Sequence, residues 1–206
     1  MSGFKYEHTW AQIGKDKIWE DNEVKLLGVT IDNGLNFDTH INSICKKANQ
    51  KLSVLSRMRC ILNFQQKRII FKSFFEAKFK YCPLIWMFCS RKANNRINKL
   101  HEQALRIVYD DDISSFEQLL EQDDSFTIHH QNIQTMAMEM YKIKHGLSAN
   151  CFNNIFVNID DDMYNLRSGC DFRVPSVNTE NYGKNSLRYF GPVIWNVIPL
   201  RVRNIY

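Results

Sequence analysis

Clustered carboxylates, paired histidines and scattered cysteines are the residues of this sequence whose types could do chemistry. Tyr109-Asp110-Asp111-Asp112 and Asp160-Asp161-Asp162 each set three carboxylates side by side, and Asp123-Asp124 adds two more. Hard cations take oxygen ligands, so each run is a candidate Mg²⁺ or Ca²⁺ site. Metal-assisted catalysis asks for more: a tight hairpin between apolar strands to aim two carboxylates together, and a third from elsewhere. Tyr109 instead follows a basic helical pattern and precedes a Ser-capped one. Its aspartates are therefore expected in an acidic loop near a helix N-terminus, where negative charge is favourable. The adjacent histidines His129 and His130 would diverge by about 100° on a helix. Cysteines stand at 45, 60, 82, 89, 151 and 170 without a C-x-x-C pair, and Cys82, Cys89 and His101 lack zinc spacing. Neither G-x-S-x-G, H-E-x-x-H nor a P-loop is present. No nucleophile is set beside a base, so the chain is expected not to be catalytic alone and to carry no cofactor.

Charge is distributed far less evenly than the net +5 of the 206 residues suggests. Residues 40–108 hold 15 basic and 2 acidic side chains, a local charge of +13. Residues 110–162 hold 2 basic and 11 acidic ones, −9. The first segment creates a field that attracts polyanions, and the second is placed to neutralise part of it. The 44% apolar and 13% aromatic content argues against disorder. With no apolar leader, no run of some 18 apolar residues and no N-x-S/T sequon, the expectation is an intracellular protein, nuclear or cytoplasmic, with reduced thiols and no membrane partner.

The elements that position these charges centre on one stretch. Val24 to Ile31 alternates as a buried strand with Gly28 as a bulge or close approach. Asn33-Gly34 signals a turn, and Asp38 is the expected N-cap of a helix. That helix carries Ile41, Ile44, Cys45, Ala48, Leu52 and Leu55 as one apolar stripe, leaving Lys46, Lys47, Lys51 and Arg57 outside. Before it, Ala11 to Ile13 and Lys17 to Trp19 read as strands about a Gly14 turn. Such a small sheet needs cover, so Trp10 and Trp19 either stay exposed or pack on the chain's own helices.

After it, Asn63 or Gln65 opens a second helix with Ile69, Ile70, Phe74 and Phe79 inward and Lys67, Arg68, Lys72, Lys78 and Lys80 outward. Pro83 suits the first turn of a short helix anchored by Trp86, and Ser90 caps the next, which runs to Tyr109. Ser114-Ser-Phe-Glu117 reads as a capping box. Thr127 begins a helix ending at Gly146, and Ser148 to Phe156 a further short one. Phe172 to Val177 is a strand candidate, and Asn185 to Trp195 a helix interrupted at Gly191-Pro192.

Four segments in order carry a resemblance: VKLLGVTIDNGLNFDTHI at 24–41, YCPLIW at 81–86, ALRIVY at 104–109, and the tail YNLRS at 164–168 with YGKNSLRYFGPVIWNVIP at 182–199. Together they resemble the C-terminal part of reverse transcriptases encoded by non-LTR (LINE, jockey/CR1-like) retrotransposons. The resemblance covers nearly the whole chain. It implies that the Leu-Gly strand lies just after the catalytic palm, near the primer grip, and that the following helices form the thumb. The catalytic Y-x-D-D and its magnesium would then belong to a palm outside this chain, which sets Tyr109-Asp110-Asp111-Asp112 aside. Met1 would be an internal methionine read as a start.

The expected fold is mainly α: a small antiparallel β element over 1–35, a basic helical bundle over 36–109, and an acidic helical segment with an irregular tail over 110–206. The expected function is thumb-like binding of RNA, DNA or an RNA–DNA hybrid without sequence preference. Lys46, Lys47, Lys51, Arg57, Lys67, Arg68 and Lys72 are its basic contacts. The resemblance puts Lys25, Leu27 and Gly28 near the primer terminus. The alternatives are a helical interaction module that docks on a partner such as the palm, and a retroelement remnant without function.

Overall fold

The computed structural model describes residues 10–152, 154–157, 159 and 171–203. The fold is mainly α, with two small antiparallel sheets near the N-terminus. Strands β1 (Trp10–Ile13) and β2 (Asp16–Trp19) form a hairpin in which Trp10 faces Trp19 across the pair. Gly14, with φ of 63°, makes its turn. Asp160-Asp161-Asp162, Cys170 and the YNLRS part of the tail lie outside the described residues.

The Leu-Gly stretch is two strands, not one. β3 (Glu23–Leu26) and β4 (Val29–Asp32) pair antiparallel, and Leu27-Gly28 is the two-residue turn between them. Both turn residues have positive φ, 46° at Leu27 and 89° at Gly28, the conformation that matches the twist of a tight hairpin. The alternating pattern runs unbroken through the turn, which hid it; the glycine alone betrayed the reversal. Val29 is buried, while every residue of β3 is exposed.

Helix α1 (Asp38–Arg57) buries Ile41, Cys45, Ala48, Leu52 and Leu55 on the expected stripe. Its N-cap residue is Phe37 rather than Asp38. The carboxylate that receives the free amides is Asp32, which accepts from Asn36 N at 3.0 Å and Phe37 N at 2.6 Å. An anion at the positive end of the helix is favourable from either position.

Asn63 caps α2 (Phe64–Ile70) through a reciprocal capping box with Gln66. The helix continues as a π segment (Phe71–Glu76) into α3 (Ala77–Phe79). Residues spaced by four drift by about 40° per step on an α-helix, and the wider π turn cancels that drift. Lys67, Phe71, Phe75 and Phe79 are thereby all buried, whereas Ile69 and Phe74, expected inside, are exposed. Next come α4 (Pro83–Trp86), with Pro83 in its first turn, and α5 (Arg91–Tyr109), capped by Ser90 Oγ on Ala93 N.

Ser115, not Ser114, caps α6 (Phe116–Asp123), with Gln118 completing the box. Thr127 caps α7 (Ile128–Lys144), and Gly146 follows its end at φ of 67°. Among the described residues of the next stretch, a 3₁₀ turn, Asn150–Phe152, forms in place of the expected helix. At Phe172 a single bridge replaces the expected strand, with Arg173 N donating to Val157 O. Helix α8 (Leu187–Val197) passes through Gly191-Pro192 without a break, and α9 (Leu200–Arg203) follows it. Gly191 is where α8 meets α7: a Cβ there would lie 2.7 Å from Met140 Sδ.

Two apolar cores result. The larger joins α1, the π segment, α4 and α5 to Leu119 and Ile128, so it continues past residue 110. The smaller gathers Met140, Ile143, Phe156, Phe172 and Trp195. Within the first, His101 is fully buried against Phe71, Phe75 and Phe116, and neither ring nitrogen has a partner among the described residues. Burial pushes its pKa down to about 4, so the ring is neutral.

Candidate nucleic-acid interface

Three helical pieces and one hairpin position the basic side chains. Because α1 hides a stripe of residues three and four apart, the intervening Lys46, Lys47, Lys51 and Arg57 must point outward, and all four are exposed. Lys72, on the π segment, is exposed as well. The Lys51 ammonium lies 5.3 Å from the centre of the Phe74 ring, which ties α1 to the π segment on this face. Lys47, one turn earlier, projects from the same side of α1.

The β3–β4 hairpin is fixed at the N-terminal end of α1. Thr30 N donates to His40 Nδ1 at 3.2 Å, and Thr39 Oγ1 donates to Glu23 Oε1 at 2.5 Å. At its tip the Tyr81 hydroxyl donates to Leu27 O at 2.5 Å, and Tyr81 Cε1 lies 3.6 Å from the position of a Cβ on Gly28. Leu27 itself is 82% exposed. Lys25 is an exposed residue of β3.

Two of the expected contacts are engaged by carboxylates of the chain itself. Lys67 is only 3% exposed and its ammonium is bound by Asp110. Arg68 lies beside the buried Asp123, with Nε 3.5 Å from Oδ1. Position 67 lies one helical turn before the buried Phe71 and faces inward with it, and Asp110 and Asp123 come to meet both cations. Arg59 joins the same group, 2.6 Å from Asp110 and 3.3 Å from Asp112. The acidic segment thus neutralises one end of the basic one. The remaining basic residues of the interface, Lys25, Lys46, Lys47, Lys51, Arg57 and Lys72, have no ion-pair partner among the described residues.

These contacts also settle what the carboxylates at Tyr109 do. The Lys67 and Arg59 hydrogen bonds hold the Asp110 carboxyl below its usual range. Asp111 accepts from Ile113 N and Ser114 N at 2.8 and 2.9 Å, and its hydrogen bonds with Ser114 hold it near 2. The Tyr109 hydroxyl donates to Asp123 at 2.7 Å. Each aspartate is engaged within an acidic loop ahead of α6. His129 and His130 diverge, their ring centres 6.4 Å apart. Among the described residues no group of three His, Cys, Asp or Glu side chains is arranged to hold a metal ion. Burial pushes the Cys45 and Cys89 thiols up to about 11 and 12, so both stay protonated. No helix among the described residues is long and apolar enough to cross a membrane.

Sequence reasoning passed over a second row of cations as site residues, Lys92, Arg96 and Lys99 on α5. Their spacing of four and three was a signal, since it puts them on one side of a helix. Arg96 donates across to Asn42 Oδ1 of α1.

No protein-family model matches this chain, and neither a curated protein nor a solved structure matches it.

Proposed function

We propose that this chain binds the phosphate backbone of nucleic acid without sequence preference, as a thumb-like part of a reverse transcriptase would hold its template–primer. One observation carries the reading: six basic side chains on α1, the π segment and β3 stand exposed without a carboxylate partner among the described residues. Lysine and arginine contacts to phosphates release counterions and give affinity without reading bases. Lys51 with Phe74, and Tyr81 at the Leu27-Gly28 turn, set aromatic rings among these charges. The chain's role in this reading is grip, within an intracellular polymerase whose magnesium-dependent chemistry occurs on a separate palm. The test is a titration with labelled RNA, DNA and hybrid duplexes over a range of salt. Comparable, salt-sensitive affinities for all three are expected; absence of salt-sensitive binding to any of them overturns the proposal.

A second reading has its own observation. Trp10 and Trp19 are 49% and 60% exposed, and all of β1, β2 and β3 is open to solvent. Exposed apolar patches of this kind mark docking surfaces. Here the hairpins would pack on a partner, such as the palm that the resemblance places upstream. Aggregation relieved by co-expression with that segment supports docking, and a monodisperse chain indifferent to it counts against.

A further inference from the structure

α1 and α5 run parallel, and their outer sides enclose a furrow. Ser90 Oγ meets Asp38 Oδ1 at 3.4 Å where both helices begin, and Arg96 meets Asn42 one turn on. Near the other end, a cavity of about 490 Å³ is lined by Asn49, Ser53 and Arg57 of α1 with Gln103 and Arg106 of α5. Lys46 and Arg57 stand on the α5 side of α1. On α5, Lys92 and Arg96 line a recess with Asp38 and Asn42, Arg106 lines the cavity with Arg57, and Lys99 falls on the same side of the helix by its spacing from Arg96. Of these six, only Arg106 is in an ion pair among the described residues, 2.7 Å from Glu102. Carboxylates border the furrow at its ends: Asp38 at one, and Asp112, held by Arg59, at the other.

We propose that this furrow seats one nucleic-acid strand by its phosphates, separately from the lysines that face the π segment. The inference rests on the proposed function and refines it, assigning Lys46 and Arg57 to the furrow and leaving Lys47, Lys51 and Lys72 for a duplex. Cations on two helices whose axes lie about 8–10 Å apart can converge on one backbone laid between them. From Asn42 to Arg57 the furrow runs for about 22 Å at the rise of an α-helix, long enough for several nucleotides. Its walls are cations interspersed with Asn49, Ser53 and Gln103. Such walls suit the evenly charged, hydrogen-bond-accepting backbone of a polynucleotide better than a folded acidic protein surface.

Fluorescence anisotropy with a labelled oligo-dT and a labelled hairpin duplex tests the division, using the full chain and its Lys92→Ala/Lys99→Ala variant. Circular dichroism first confirms that the variant is folded; both side chains are exposed, so it should be. The variant should bind oligo-dT about tenfold more weakly, with a salt slope shallower by about 1.4, from roughly 0.7 per phosphate on single strands. Its duplex affinity should stay within about twofold, whereas Lys47→Ala/Lys72→Ala should show the reverse selectivity. Unchanged oligo-dT binding overturns the inference, as does equal loss on both ligands or displacement of oligo-dT by poly-glutamate as readily as by unlabelled oligo-dT. A wild-type chain that binds neither nucleic acid overturns the proposed function itself, and is told apart by that.

Discussion

The ammonium of Lys67, buried in the α2–π helix, is bound by the carboxylate of Asp110, the residue that ends α5 in the left-handed conformation at φ of 56°. Half of Asp110 remains in solvent while Lys67 has almost no access to it. The two partners should therefore respond unequally to substitution. Asp110→Ala strands a buried cation, and is expected to cost about 2 kcal/mol in urea denaturation. Lys67→Met leaves an exposed carboxylate that keeps Arg59, and should cost less. Because Lys67 does not reach the surface, Lys67→Met should also leave nucleic-acid affinity and its salt dependence unchanged. A shallower salt slope in that variant would return Lys67 to the interface.

His101 predicts a pH dependence with a defined sign. Its folded pKa, about 4, lies below the ordinary 6.5, so the unfolded chain binds the extra proton first. The associated stability is complete above about pH 6.5 and is lost as pH falls toward 4, amounting to about 3 kcal/mol. The nearby Asp123 carboxylate opposes this shift without reversing it. Asp110 and Asp111, both depressed, add losses only below the ordinary carboxylate range. Denaturation at pH 7 and pH 4.5 should show the drop in the wild type. It should be clearly smaller in His101→Leu, with His40 and His129, whose pKa values burial also lowers, contributing the remainder; the variant also removes two nitrogens without a partner among the described residues. Equal slopes in the two proteins would contradict the assignment.

The Leu27-Gly28 turn makes a local prediction. A leucine at φ of 46° is strained, and asparagine tolerates that region. Leu27→Asn should stabilise the β3–β4 hairpin by about 0.5–1 kcal/mol, and Gly28→Ala should destabilise it by a similar amount. Hydrogen exchange at Thr30 N, which donates to His40, reads the hairpin directly. Slower exchange in the first variant and faster in the second are expected, and the opposite order would mean that the turn lies elsewhere.

Much of this architecture was visible in residue order because local chemistry dictates it. The α1 stripe followed from spacing, and Asn63, Ser90 and Thr127 cap where side-chain oxygens precede helical patterns. The antiparallel β1–β2 pair followed from Gly14. What was hidden depended on tertiary geometry. Lys67 shares the inward side with Phe71, and its charge is tolerated there because Asp110 arrives from 43 residues away, which nothing near residue 67 announces. Two serines in a row concealed which one caps α6. Gly191-Pro192 reads as a helix break, yet the small glycine lets α8 approach Met140, and the helix persists. Of the candidate interface, the exposure of the α1 lysines and of the row on α5 was legible from type and spacing, while the engagement of Lys67 and Arg68 by Asp110 and Asp123 was not.

The central claim is that exposed, unpaired lysines on α1 and the π segment hold a nucleic-acid backbone. The dependence of log K on log salt for a labelled duplex, in the wild type and in Lys47→Ala/Lys51→Ala/Lys72→Ala, tests it most directly. If the duplex engages four phosphates, through Lys25, Lys47, Lys51 and Lys72, the wild-type slope should be about −4, and loss of three contacts should bring it to about −1. A folded variant with an unchanged slope, or a wild type whose binding does not respond to salt, would contradict it.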